Sequence, residues 1–315
     1  MSKPGSIRTI HSDCHHVGWD NQLEPVARVS PGSMLELQCL DAANGYSTAG
    51  STAQAVTSMP KGKANPTTGP VFVEGAEPGD ILAITFDSFA PSGFGWSANI
   101  PGFGLLSDDF PDPALQLWHY DRSMTKPAAF AQYARVPLQP FAGTVGVAPA
   151  EPGVHSVIPP RRVGGNLDTR DLAAGSTLYL PVEVAGALLS IGDTHAAQGD
   201  GEVCGTAIES AMNVTVKLDL IKQTPLAMPR FSTPGPVTRH LDAAGYEAFT
   251  GVGPDLMQAA RDAVSGAIDW ICREHRMPAE QAYMLCSVCG DLRINEIVDM
   301  PNVVVSFYVP RLVFE

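Results

Sequence analysis

The sequence predicts a mainly β protein, jelly-roll or sandwich-like, with an α+β part toward its C-terminus. Three observations carry this. Short apolar or alternating runs recur between Glu24 and Leu220, each bounded by Gly, Pro, Ser or Asn. Only one long segment shows the three-and-four spacing of an amphipathic helix, and it lies beyond residue 250. Strands thus come first and helices are bunched late, the order of packed sheets with helices added at one end.

The elements follow in chain order. Residues 1–15 are polar and read as a loose tail. His15 and His16 precede Trp19. From Glu24 to Leu40 the pattern is strand, turn, strand, with Ser30–Pro31–Gly32 as the turn. Leu35, Leu37 and Cys39 share one face there, and Met34, Glu36 and Gln38 the other. Asp41 stands just past the strand end, where an aspartate commonly forms a turn. Residues 44–69 read as a long loop, of a length that is usually functional or mobile. Gly69–Val73 and Asp80–Phe86 read as short strands. Residues 88–135 read as irregular, and their Phe94, Trp96, Phe103, Phe110, Trp118 and Tyr120 either line a pocket or pack under a loop.

Pro140–Ala148 is strand-like. The Pro- and Gly-rich segment 149–165 then suggests a division into residues 1–150 and 151–315, or a join within one intimately packed unit. Gly164–Gly165–Asn166–Leu167–Asp168 is a compact polar turn. Thr177–Val182 and Val184–Ile191 read as strands, and Asn213–Leu220 alternates as a half-buried strand should. Pro254 suits the first turn of a helix carrying Met257, Ala260, Val264, Ala267, Ile268 and Ile271 on one stripe. Pro278 ends it, and a second helix runs over Ala279–Ser287. Its Cys286-x-x-Cys289 has no second pair and reads as core packing. Leu292–Val298 and Val303–Val309 return to strands.

Composition narrows the function. The chain has 315 residues, 44% apolar and 17% charged, enough to bury a core. Its formal charge of −13 repels phosphate backbones and anionic membranes, so neither nucleic acid nor a membrane is an expected partner, whereas a small neutral substrate is compatible. No apolar run is long enough for a bilayer and no secretory signal is evident. Six irregularly spaced cysteines in a chain this size fit a reducing cytoplasm. There is no G-x-G-x-x-G after a strand, no P-loop and no G-x-S-x-G elbow.

Between two strands lies the stretch Ile191 to Glu209, IGDTHAAQGDGEVCGTAIE. Two aspartates, two glutamates, a histidine and a cysteine sit among glycines, the residue types of metal binding and acid–base work. Alternation sends Asp193 and His195 to one face. Glu209, at the far end, reads as a solvated strand end outside the site.

This stretch resembles the signature of the acetamidase/formamidase family of amide hydrolases, many of them metal-dependent. Further blocks agree in order: His16-x-x-Trp19, PVARVSPG (25–32), Cys39–Leu40–Asp41, NPTTGPVFVEGAEPGD (65–80), GTVGVAP (143–149), GGNLD (164–168) and STLYLPV (176–182). The resemblance implies a jelly-roll-type sandwich and a small amide substrate of the formamide or acetamide type, with cyclic amides such as γ-lactams as the alternative. It implies a site role for His16, a ligand or catalytic role for Asp41, and contact with metal or substrate for Asn166 or Asp168. Gly164, Gly165, Asn166 and Gln198 are the expected substrate contacts.

Two schemes draw on these residues. In the first, a divalent ion (zinc first, calcium or manganese as alternatives) is held by a set drawn from His16, Asp41, Asp168, Asp193, His195 and Asp200, and activates a water. Glu202 is then the general base. In the second, Cys204 is the nucleophile, His195 its base and Glu202 the orienting acid. A third reading, a metal- or sugar-binding sandwich without turnover, has no need of a proton-moving Glu202. A closed homo-oligomer is the common state for such a chain.

Overall fold

The computed structural model describes residues 7–58, 60 and 62–315. The Met34–Cys39 strand shows how the sequence builds the fold. Leu35, Leu37 and Cys39 are buried while the intervening residues are only half-buried. This strand pairs in parallel with Arg8–Ile10 and antiparallel with Met212–Ile221. The sheet continues through Ile81–Pro91 and Thr177–Pro181 to an edge at Arg230–Ser232. A second sheet runs Gly164–Asn166, Phe141–Gly146, Leu189–His195, Thr67–Val73, His15–His16, with Ala27–Val29 added in parallel to Thr67–Val73. Leu35, Leu37 and Val214 from the first sheet, and Val145 and Ile191 from the second, meet in one core cluster. Each such fully buried aliphatic side chain stabilises by about 1.5–3 kcal/mol, and together they hold the sheets as a sandwich.

The sheets do not part at residue 150. Each draws strands from both sides of it, and Phe141–Gly146 pairs directly with Gly164–Asn166. The Pro- and Gly-rich segment between them is therefore a long connection within one sheet. Residues 88–135 are also more regular than their composition suggests. Ile81–Pro91 runs on into them, and Phe94–Asn99 pairs with Ala114–His119. Residues 44–69 hold a short helix, Ala53–Ser58.

The C-terminal part is a three-stranded sheet, Tyr246–Gly253, Val303–Pro310 and Asp291–Glu296, packed with two helices. In the first, Leu256–His275, the Asp255 side chain accepts from Gln258 N at 2.7 Å as an N-cap. Its stripe is buried as expected from Ala260 to Ile271, but Met257 is 61% exposed, because the first turn packs through Leu256 and Ala259 on Val303 and Val305 instead. The second helix spans Ala279–Cys289, with Cys286 and Cys289 buried as free thiols in the core. None of the described helices is long and apolar enough to cross a membrane.

Candidate active site

The Leu189–His195 strand is buried at all seven positions, so its polar tail, Asp193–Thr194–His195, is carried deep into the protein. The chain then leaves and returns. Ala196 N donates to Ile208 O, Ile208 N to Ala197 O, and Ser210 N to Thr194 O, closing the intervening residues into a loop. The Ala279–Cys289 helix braces the back of that loop. Ser287 Oγ accepts from Cys204 N (3.1 Å) and donates to Thr206 O (2.7 Å), and Tyr283 Oη donates to Val203 O. Gly199 is required by close approach: a Cβ there would sit 1.8 Å from Gly290 O.

This geometry gathers four carboxylates around one imidazole. Donor atoms of Asp168, Asp193 and His195 lie within 4.8 Å of one another, and so do those of His195, Glu202 and Glu209. His195 Nε2 is 3.2 Å from Asp193 Oδ1 and 3.1 Å from Glu209 Oε2. The ring's other nitrogen fixes the tautomer. Gln198 Nε2 donates to the Asp168 carbonyl at 2.7 Å, so Gln198 Oε1 is the atom facing His195 Nδ1 at 2.9 Å. Nδ1 therefore carries hydrogen, and Nε2 faces the acids. Two asparagines and a threonine orient the carboxylates. Asn65 Nδ2 donates to Asp193 Oδ2 (2.9 Å) and Asn166 Oδ1 (2.8 Å), Thr144 Oγ1 donates to Asn166 Oδ1 (2.7 Å), and Asn166 Nδ2 donates to Asp168 Oδ2 (2.8 Å).

Burial and mutual repulsion set the protonation. Burial pushes Asp168 and Glu202 well above the carboxylate range, helped by Asp193 and Glu209 beside Asp168 and by Asp168 and Glu209 beside Glu202. Burial takes Glu209 to about 7, despite the opposing pull of His195. Burial alone would also raise Asp193, but the charge and hydrogen bond of His195 outweigh it and hold Asp193 low. Burial disfavours a charged His195, yet Glu209 and Asp193 keep it well above its usual value. Asn65, Asp168, Asp193 and Glu202 all adopt left-handed backbone, with φ of 51°, 46°, 51° and 43°. Such conformations cost on the order of 1–3 kcal/mol each and collect where a site must be held against its own preference.

The donor set fits a divalent cation. Asp168 Oδ1 and Glu209 Oε2 are buried without a hydrogen-bond partner among the described residues, and buried carboxylate oxygens are rarely left so. The single Nε2 cannot serve both neighbouring acids at once. A cation among these oxygens would satisfy the orphans and offset the excess negative charge.

Of the residues singled out in the sequence, the structure brings together Asp168, Asp193, His195 and Glu202. It adds Glu209, whose expected solvated position is overturned: Glu209 is 3% exposed, bridged through its backbone to both Trp96 and His195. Its two residues of distance from Ala207 let Oε1 accept from Ala207 N at 2.9 Å, which aims the other oxygen inward. Asn65 was visible in the sequence only as the head of a matching block.

The others stand outside the group. Asp41 forms a turn, accepting from Ala43 N (2.9 Å) and Gly45 N (3.3 Å). Asp200 faces Arg170 Nε at 3.3 Å with its side chain about half exposed. His16 is occupied at both nitrogens, by Gly18 O and Ser190 Oγ at 2.8 Å each. Gly164 and Gly165 belong to a strand ladder, where a Cβ on Gly164 would meet Val145 O at 2.4 Å. Gln198 orients His195 and does not border the cavity described next. Cys204 is fully buried, its Sγ near Ala98 O and Thr206 Oγ1 at 3.5 Å, and burial raises its thiol further from the thiolate. It has no contact with His195 of the kind a Cys–His nucleophile requires.

The carboxylates form the floor of a cavity of about 120 Å³, bordered above by Trp96, Ile100, Phe103 and Ile158. That is well below the roughly 300–1,000 Å³ of sites for drug-sized ligands. A larger hollow of about 550 Å³, beside Phe89 and Pro234, contains none of these acids. Of the six aromatic residues singled out between 88 and 135, only Trp96 and Phe103 reach the small cavity. Phe110 stacks on Tyr283 and Trp118 packs on Phe130, in the core.

Comparison with known proteins agrees with the sequence. A formamidase from Methylophilus methylotrophus is 28% identical, over 95% of this chain and 89% of its own. An acetamidase structure from Bacillus halodurans is 30% identical with a TM-score of 0.68, covering 96% of each chain. A gamma lactamase structure from Delftia acidovorans has a TM-score of 0.88 at 24% identity, over 96% of this chain and 90% of that one, a likeness of fold. The acetamidase/formamidase family model matches residues 6–157 and 151–315, and the chain belongs to that family.

Proposed function

We propose that this protein hydrolyses the C–N bond of a short primary amide, giving a carboxylate and ammonia. One observation carries the reading: a small cavity whose floor is a buried carboxylate–imidazole group with two orphaned oxygens, Asp168 Oδ1 and Glu209 Oε2. Asp168, Asp193, His195 and Glu209 would hold a divalent ion, zinc in our proposal. When bound, that ion supplies the positive charge that polarises the amide oxygen and acidifies a water.

The chain's own residues do the rest. Gln198 keeps His195 Nδ1 protonated, so Nε2 is the nitrogen free to ligate. Asn65, Asn166 and Thr144 fix the carboxylates before substrate arrives. Glu202, beside the imidazole, is the carboxylate we assign to accept a proton from the attacking water and return it to the leaving nitrogen, with the bound cation offsetting the burial that otherwise favours its protonated form. The six free cysteines accord with the reducing cytoplasm we assign, and we take the working form to be a homo-oligomer.

Hydrolysis of a γ-lactam is the second reading, favoured by the fold shared with the gamma lactamase. Ammonia release from formamide and acetamide, before and after chelation and with zinc, calcium or manganese added back, tests the proposal. Activity lost on chelation and restored by one ion is the expected result. Turnover of a lactam alone would replace the linear amide as substrate, and activity indifferent to a complete loss of metal would refute the cation.

A further inference from the structure

The cavity is charged below and apolar above. Asp193 and Glu209 at its floor are 2% and 3% exposed, whereas Phe103 and Ile158 at its rim are 48% and 41% exposed. Both line the cavity together with Trp96 and Ile100. Both are held by framework, not left on free loops. Phe103 lies on Gly205 of the central loop: a Cβ on Gly205 would be 2.5 Å from two carbons of its ring. Gly205 has a φ of +85°, so glycine serves there both the backbone and the seat of the ring. The next residues are stitched to the same loop through Leu105 N to Val203 O at 2.9 Å. Ile158 sits on the connection tied to Trp19 by paired backbone hydrogen bonds with His155, 2.8 Å each.

We infer that Phe103 and Ile158 form the end wall that limits the acyl chain of the substrate. This rests on the amidase reading above. The carboxamide needs polar partners and takes the charged floor, so the acyl carbon chain extends toward the apolar rim. The cavity of about 120 Å³ holds the carboxamide and a short acyl chain, and each further methylene brings that chain closer to Phe103 and Ile158. Formamide, with no carbon beyond its carbonyl, does not reach the wall.

The test is kcat/KM for formamide, acetamide, propionamide and butyramide on the metal-loaded wild type and on Phe103→Ala, Ile158→Ala and Phe103→Trp. One methylene in a hydrophobic pocket is worth about 10- to 200-fold in discrimination. The butyramide-to-formamide ratio should rise at least about tenfold in each alanine variant, and Phe103→Trp should lower the acetamide-to-formamide ratio. Ratios equal to wild type in all three variants, with formamide still turned over, would overturn this inference and leave the amidase reading intact. No ammonia from any of the four amides with wild type would overturn the amidase reading, and this inference with it.

Discussion

Two buried charged clusters lie a few residues apart in this chain, and they are built on opposite principles. In one, Arg170 and Asp291 are 3% and 0% exposed at their side chains and paired through both guanidinium Nη atoms, at 2.5 and 2.9 Å. Arg293 adds a third bond to Asp291 at 3.2 Å, and Asp200 faces Arg170. Two cations meet two anions. In the other, Asp168, Asp193, Glu202 and Glu209 share one imidazole, and two oxygens have no partner among the described residues. Balanced charge ties the central loop to the C-terminal sheet. Unbalanced charge is costly to fold around, and it is sustained where a cation or a proton is to be handled.

Substitutions should separate the two clusters cleanly. Glu202→Gln should lower kcat by about 10²- to 10⁴-fold, the usual worth of a positioned general base, while the protein stays folded and still takes up the ion. Steady-state rates with metal titration check this, and near-wild-type turnover in the variant would remove Glu202 from the chemistry. Asp291→Ala should do the reverse. Leaving buried Arg170 with only the half-exposed Asp200 as counter-charge should cost up to about 3–5 kcal/mol in denaturant unfolding, with turnover per folded molecule largely kept. Replacing Arg170 and Asp291 together by leucine should recover much of that loss. If the double variant were no more stable than the single, the pair would owe its role to something other than charge balance.

The smallest effect is a pH dependence of the metal-free protein. Glu209 titrates at about 7 when folded, against the 4.5 of an ordinary glutamate, and burial raises Glu202 and Asp168 as well. The folded state thus holds more protons than the unfolded one. The stability these groups contribute is fully present below pH 4.5 and is lost as pH rises through about 7. Asp193, held low, stays ionised throughout that window and does not alter the sign. Each tenfold difference in proton affinity between the folded and unfolded states is worth about 1.4 kcal/mol, so the metal-free form should melt a few degrees higher at about pH 5.5 than at about pH 8. Scanning calorimetry with and without metal reads this directly. A metal-free Tm that rose with pH instead would mean that the acids are already neutralised by some partner of their own.

Much of the sandwich was legible in the sequence because one face of each outer strand is wet. Leu35, Leu37 and Cys39 announce their burial by alternating with half-buried neighbours, and Val216 and Leu218 do the same around exposed Lys217. Leu189–His195 gives no such signal, since both its faces are covered, and only its apolar entry marked it as a strand. The Phe94–Asn99 and Ala114–His119 pair was hidden by the Gly- and Pro-rich chain between its strands. In the site, Asp193 and His195 were visible as neighbours on one face. Glu209 was not, because its burial depends on a backbone bridge to Trp96, which sequence spacing cannot report. Asp41, Asp200 and His16 carried the right chemistry but found partners nearer at hand, in a turn, a guanidinium and a serine.

The interleaving of strands also dictates when this protein can become itself. Met34–Cys39 is made well before Met212–Ile221, its neighbour on one side. Leu189–His195 must wait for neither Phe141–Gly146 nor Thr67–Val73, but the loop it launches stays unbraced until Ser287 and Tyr283 have been made. Closing such distant pairings makes folding slow, and the nascent chain passes through a long interval with unpaired strand edges exposed. The loop that carries the acid cluster thus gains its brace only after the Ala279–Cys289 helix has been made.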